Sequence, residues 1–307
     1  MAQVTLENGG KITTFAPPPA GFDPLTASAA KLAHHGFPAR PEDPKLLARY
    51  ESIYKRMNGK FQYVVPTFRL DPTKTTHTNK GSGKSGTETY DNWSGGVVYA
   101  PAGQSFKWVQ GDWVVPNVYP PTDGEWYYCA NWIGLDGDGS ADVCQAGMIC
   151  AAYKSGSSIS RSIYPWHEWY PQGWIEITNL AISPGDMVSM LICTPSGAGS
   201  TSATIFFGNI TSGLSTSYTI TAPAGSKLAG NSAEWIVETP IVGGALTSMP
   251  DYGEVFFSVC QAGLVNGTTV QGGTGNNINL VQSGKTLSTG ALITSSVIQC
   301  QYAGAQP

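Results

Sequence analysis

Charge is scarce in this chain. Only 12% of its 307 residues are Asp, Glu, Lys or Arg, about half the usual share of a globular protein. Histidine is scarcer: there are four, and His167 is the only one beyond residue 77. With no G-x-S-x-G sequence beside it, that excludes a Ser/His/Asp triad. Long apolar runs are missing as well. Even "EVFFSVCQAGLV" is short and interrupted, so no bilayer span and no membrane partner are expected. The first ten residues, "MAQVTLENGG", lack the basic and apolar regions of a signal peptide. Helical periodicity is nearly absent.

What is present is unevenly placed. Residues 1–88 hold 12 of the 17 Lys and Arg but 7 of the 21 Asp and Glu, a net of +5; residues 89–307 carry a net of −9. Such asymmetry implies two parts with different jobs. The basic residues are interleaved with Pro, Glu and Asp rather than gathered in a stripe, so nucleic acid is not an expected partner. In acid the second part would keep few cations to repel one another, which favours acid tolerance. All six cysteines, from Cys129 to Cys300, lie in that part. An even count permits disulfides without fixing their pairing.

Residues 1–40 are Pro-rich and irregular. "EDPKLLARYESIYKRM" follows, where Asp43 can cap and Pro44 suits the first helical position. Leu46, Leu47, Tyr50, Ile53, Tyr54 and Met57 then form one apolar face at helical spacing. This is the one helix the sequence predicts; His34 and His35 read as loop residues. Residues 71–89, "DPTKTTHTNKGSGKSGTET", carry no large apolar side chain and read as a flexible, cleavable linker. From Tyr90 onward, ten or more short apolar stretches alternate with Gly- and Ser-rich turns. The fold class expected is all-β: a two-sheet antiparallel sandwich over 89–307, preceded by a mostly irregular segment with one helix.

Three stretches carry the candidate chemistry: "NWIGLDGDGSADVCQAG", "YPWHEWYP" and "NSAEWIVETP". Strand alternation puts Glu234, Ile236 and Glu238 on one face of the third, where a carboxylate beside Ile236 must be paired or open to a cleft. Asp136-Gly-Asp138-Gly-Ser140-Ala-Asp142 imitates a calcium loop, but Gly147 stands where the bidentate Glu belongs, so no metal is expected. "VCQAG" occurs twice, at Val143–Gly147 and Val259–Gly263, and composition alone does not say whether Gln145, Gln261 or neither does chemistry.

The order "NWSGG … W.VP … WIGLDGDG … QAG … HEWYP … ISPGD … NSAEWIVE", over roughly residues 90–260, resembles the glutamic peptidases, or eqolisins. The resemblance implies a lectin-like sandwich whose concave sheet carries a catalytic Gln and Glu. On this sequence these are Gln145 and Glu234, with Trp132, Asp136 and Glu168 around them as substrate-binding or supporting residues. Gln261 lacks that context and reads as structural or solvated. The family's aliphatic residue before the Gln and Thr after it are here Cys144 and Ala146. Acid endopeptidase activity without cofactor or metal is implied, on polypeptide substrates, by a secreted monomer made as a zymogen with residues 1–88 as propeptide. Pepstatin, chelators and serine-directed reagents are expected to leave it active.

Glutamine does not titrate, so it works unchanged in acid. Glu234, with an ordinary pKa near 4.3, needs a hydrogen bond from Asp136, Glu168 or Gln145 to stay partly ionised there. The rival is a lectin-like carbohydrate binder or glycoside hydrolase, with Trp132, Trp166, Trp169 and Trp235 as stacking platforms and Glu168 with Glu234 as the acid pair.

Overall fold

Near-continuous apolar strands such as "AEWIVE" and "CANWIGL" need cover on both faces, and the computed structural model supplies it. It describes residues 2–7, 9–57, 61–77, 79 and 86–304. Among these, strands dominate and form two stacked layers. The front layer runs in the order Asn276–Gln282, Trp93–Tyr99, Ser232–Glu238, Trp126–Asp136, Val143–Ser155, Ser158–Trp169, Trp174–Ile177 and Phe68–Asp71, each antiparallel to the next. The back layer runs from Lys285–Thr294 through Val297–Tyr302, Glu254–Leu264, Phe106–Val114, Met187–Cys193, Ser202–Asn209 and Leu214–Thr221 to Lys11–Thr14. Asn276–Gln282 joins them by pairing with Lys285–Thr294. The expected antiparallel sandwich is therefore present.

Between the layers lies the main core, where Ile133, Leu135, Met148, Trp235 and Val237 of the front meet Trp113, Ile192 and Phe257 of the back. A second apolar cluster covers the outer face of the front layer: Trp93, Trp132, Trp166, Trp174 and Ile236, flanked by Tyr90, Tyr99 and Tyr164. This explains why Ser232–Glu238 is buried at every position instead of alternating. All six cysteines are free thiols. Burial pushes Cys193 and Cys300 up to about 12, so they act as small apolar fillers.

The N-terminal segment wraps the sandwich. The helix Pro44–Arg56 forms as the sequence dictates, with the Asp43 carboxylate accepting from the Lys45 and Leu46 amides. A second, shorter helix, Ala29–His34, was not expected; Ser28 caps it, and His34 and His35 close it rather than sitting in a loop. The long helix lies on the outer face of the back layer. There Arg49 pairs with Asp112 and donates to Gln110 (2.7 Å) and Ser189 (3.3 Å). Both partners are largely buried, so Arg49→Ala, which would strand the Asp112 charge, is expected to destabilise the full chain by about 3 kcal/mol. A thermal midpoint equal to that of the parent would show that this pair does not hold the helix down.

The stretch expected to be a loose linker is seated instead over most of its described length. Phe68–Asp71 extends the edge of the front layer, Lys74–Thr75 pairs with Ile241–Val242, and Thr76 is 1% exposed. Asn79 bridges Asp138, and Thr87–Tyr90 runs parallel to Asn276–Gln282 on the opposite edge. Residues 78 and 80–85 lie outside the described residues.

Candidate active site

The antiparallel register builds one row of side chains across four strands. Glu234 stands opposite Gly134, Gly134 opposite Gln145, and Gln145 opposite Glu168. Opposed residues share a face, so Glu234, Gln145 and Glu168 all project from the outer face of the front layer. Gly134 puts no side chain between Glu234 and Gln145, whose backbones are two strand spacings, about 9–10 Å, apart, and the Trp132 ring lies over it instead. A Cβ at Gly134 would come within 2.7 Å of that ring, and one at Gly147 would lie 2.1 Å from the Asn131 carbonyl oxygen. Both glycines give Trp132 its place in the row. Its ring meets Trp93 edge-on, with centroids 4.9 Å apart.

Glu168 is saturated with donors. Its Oε1 accepts from the Thr75 hydroxyl (2.6 Å) and the Gly173 amide (3.1 Å); its Oε2 accepts from the Thr76 amide and from Gln145 Nε2, each at 3.2 Å. Burial still pushes its carboxyl up to about 7, with those four donors pulling the other way. The Gln145 amide is thereby oriented, with its nitrogen toward Glu168. Gln145 Oε1 and both Glu234 oxygens are buried without a hydrogen-bonding partner. No hydrogen bond from Asp136, Glu168 or Gln145 holds Glu234 ionised, contrary to the expectation from sequence. Burial instead drives its carboxyl well above the usual range; the nearby Ser232 hydroxyl offsets part of this, though its own bonds go to the Asp138 carbonyl and Asn231.

Asp136 has a different task from joining this row. Its carboxylate accepts the backbone amides of Ala229, Gly230 and Asn231 at 2.6–3.0 Å, fixing the turn that feeds the Glu234 strand. Asp138 accepts from the Tyr90 and Tyr99 hydroxyls, and burial, then the Glu88 charge, raises it to about 6. The calcium-like loop therefore spends these carboxylates on protein donors. Among the described residues no cluster of three or more metal-ligating groups exists. His167 points into the inter-layer core against the Tyr218 hydroxyl (3.0 Å), and burial lowers it to about 3.

Gln261 is far from this constellation. It sits in the back layer, accepting from Gln110 Nε2 (2.7 Å) and donating to Gln271 (3.3 Å). Trp169 and Trp235 also leave the site, because both belong to the inter-layer core. The sugar-stacking platform that the rival reading needs is thus cut to Trp132 and Trp166, and both are fully buried.

One residue of the site, the last of "NSAEWIVE", is given no role by the resemblance. Glu238, two positions along the same face from Ile236, is fully buried. Its Oε2 accepts from Trp132 Nε1 at 2.8 Å and its Oε1 is bonded to the Thr76 hydroxyl. Burial and the neighbouring Glu168 push it up to about 8 against the Thr76, Trp132 and Trp93 donors. Its one signal in the sequence is the period-two alternation that puts Glu238 on the face of Glu234.

Comparison with known proteins bears on this arrangement. The family described as the peptidase A4 family matches residues 91–302. Aspergillopepsin-2 of Aspergillus niger is 28% identical over 236 residues, which is 71% of this chain and 80% of the relative. Scytalidopepsin B of Scytalidium lignicola is 27% identical over 150 residues, covering 48% of this chain and 51% of the relative. Among solved structures, scytalido-glutamic peptidase with a peptide-based transition-state analogue superposes with a TM-score of 0.58 at 21% identity, over 69% of this chain and 98% of that one. Aspergilloglutamic peptidase from Aspergillus niger gives 0.51 at 28% identity, over 58% and 99%.

Proposed function

Because the chain belongs to the peptidase A4 family and is on that ground a peptidase acting on polypeptides, we propose that Gln145 and Glu234 form its catalytic pair in acid. The observation that carries this reading is the row Glu234, Gly134, Gln145, in which a carboxyl and an amide oxygen are buried without partners. Buried polar atoms are rarely left unpaired. A water between them would satisfy both and stand ready to attack a peptide carbonyl. Glu234 takes the proton of that water and returns it to the leaving amine. Gln145 holds the water through Oε1 and turns an N–H to the developing oxyanion. Glu168 positions Gln145, Trp132 walls the cleft, and Asp136 fixes the strand of Glu234.

In the full chain this machinery is disarmed. Thr75 and Thr76 occupy the donor positions around Glu168 and Glu238, and burial keeps Glu234 neutral, a state that cannot act as base. We read residues 1 to about 88 as a prosegment. The family match begins at residue 91, just after it, and solvent entering after its removal would let Glu234 ionise. The stretch 71–77, and not the helix, lies against Glu168 and Glu238.

The test is digestion of casein at pH 3–4 beside a panel of β-glucans. Casein cleavage that resists pepstatin, chelators and serine-directed reagents supports the reading. Glucan cleavage with intact casein would return the site to carbohydrate chemistry, and strong inhibition by a chelator would revive a metal.

A further inference from the structure

Glu238 has no part in the bond-breaking scheme above, yet it is held as carefully as the groups that do. The indole N–H of Trp132 is a donor only, so Glu238 Oε2, 2.8 Å from it, is an acceptor in every protonation state. Because the hydroxyl oxygen of a protonated carboxyl is the poorer acceptor, a proton on this carboxyl is best placed on Oε1, which faces the Thr76 hydroxyl. In the neutral state Glu238 donates to that hydroxyl; in the ionised state it accepts from it. A hydroxyl suits both. A methyl suits neither, and an ammonium suits only the second.

The stretch that delivers Thr76 is bound as a guest strand. Lys74 and Thr75 pair antiparallel with Val242 and Ile241, and the Thr76 amide donates to Glu168 at 3.2 Å. This is how extended peptides add to a sheet edge, with main-chain bonds for affinity and a side-chain pocket for selection. Trp132 and Trp93, the latter opposite Glu238 in the sheet, flank Glu238 and are both fully buried.

We infer that Glu238 is a specificity-determining residue, and that once the stretch 71–77 is displaced the same pocket takes a Ser or Thr side chain of an extended polypeptide substrate. Valine has the shape of threonine but would leave Oε1 buried without a partner. The inference rests on the peptidase reading and adds to it a substrate class.

The experiment uses the full chain incubated at pH 3.5, then supplied with peptide sets that differ at one position at a time among Thr, Ser, Val, Ala and Lys. Cleavage rates are read by mass spectrometry. At one position, Thr and Ser are expected to exceed Val by about tenfold in kcat/KM, the effect of one unmade hydrogen bond in a buried site. Glu238→Leu should erase that preference. Glu238→Gln should keep it, because the amide oxygen can accept from Trp132 while Nε2 donates to the hydroxyl. If Glu238→Leu does not fold, the parent profile and Glu238→Gln decide. Cleavage with no Ser/Thr preference at any position overturns the inference alone. A preference that survives in Glu238→Leu, or is lost in Glu238→Gln, assigns it to other residues and overturns it too. No peptide cleavage by chain that has lost about the first 80–90 residues, as read by mass, overturns the peptidase reading and the inference with it.

Discussion

Gln145→Ala is expected to lower kcat/KM on casein at pH 3.5 by about 10²–10³, the usual loss when one oxyanion donor is removed. Glu234→Gln, which removes the base, is expected to cost at least as much, while Gln261→Ala keeps the parent rate. The contrast matters because the two glutamines have the same neighbours in sequence, Val-Cys before and Ala-Gly after. Their surroundings in space differ entirely. Gln145 is fully buried with an unpartnered side-chain oxygen, whereas Gln261 is a link in a hydrogen-bonded chain running from Arg49 through Gln110 to Gln271. Replacing it loosens the back layer without touching the row that holds Glu234. An inactive Gln261→Ala of normal stability beside an active Gln145→Ala would move the site to the other sheet.

Much of that row is legible in the amino-acid sequence. Alternation along "NSAEWIVETP" places Glu234 and Glu238 on one face, and the long order of motifs singles out Gln145, Trp132, Asp136 and Glu168. What alternation cannot supply is register. That Gly134 falls between Glu234 and Gln145 depends on how the consecutive strands Trp126–Asp136 and Val143–Ser155 align with Ser232–Glu238, far along the chain. Asp136 belongs near the site, as the motif implies, but its task is visible only once the 229–231 amides are seen around it. The N-terminal segment is least legible. Its helix is plain from Asp43, Pro44 and an apolar stripe, but a stripe does not name its partner. Net charge does not name it either, and the helix is seated by Arg49 on Asp112, Gln110 and Ser189 of the far layer. The threonines that enter the cleft carry no compositional signal, since "KTTHTN" reads as solvated chain until Glu168 and Glu238 are found beneath it.

The closed chain is expected to be most stable in acid and to loosen as pH rises through about 7–8, the reverse of what its charge imbalance implies. The imbalance alone predicts the opposite: a +5 segment holds a −9 partner best when the carboxylates are ionised. Those surface charges, however, are screened beyond about 8–10 Å at ordinary salt. The groups under the segment are not. Glu168 and Glu238 are raised to about 7 and about 8 in the closed chain, in both cases chiefly by burial, while an exposed glutamate titrates near 4.3. Between those values the closed state binds protons that the open or unfolded state has released, so each rise in pH costs it stability. The contribution is complete below about pH 4 and gone once both groups ionise in place. With two such groups the loss should amount to a few kcal/mol, or roughly 10 °C in thermal midpoint for a chain of this size. Acid then does not release the segment by itself. On this reading, opening of the stretch 71–77 requires a cut in the chain. The measurement is the thermal midpoint of the full-length Gln145→Ala chain, chosen to limit self-digestion, from pH 4 to pH 9, with hydrogen exchange over residues 71–77 corrected for the intrinsic rate at each pH. Glu238→Gln should flatten the curve, because it removes one of the two titrations while keeping a hydrogen bond to Thr76. A midpoint that climbs toward neutral pH, with residues 71–77 better protected at pH 7 than at pH 4, would restore surface charge as the force that holds the segment.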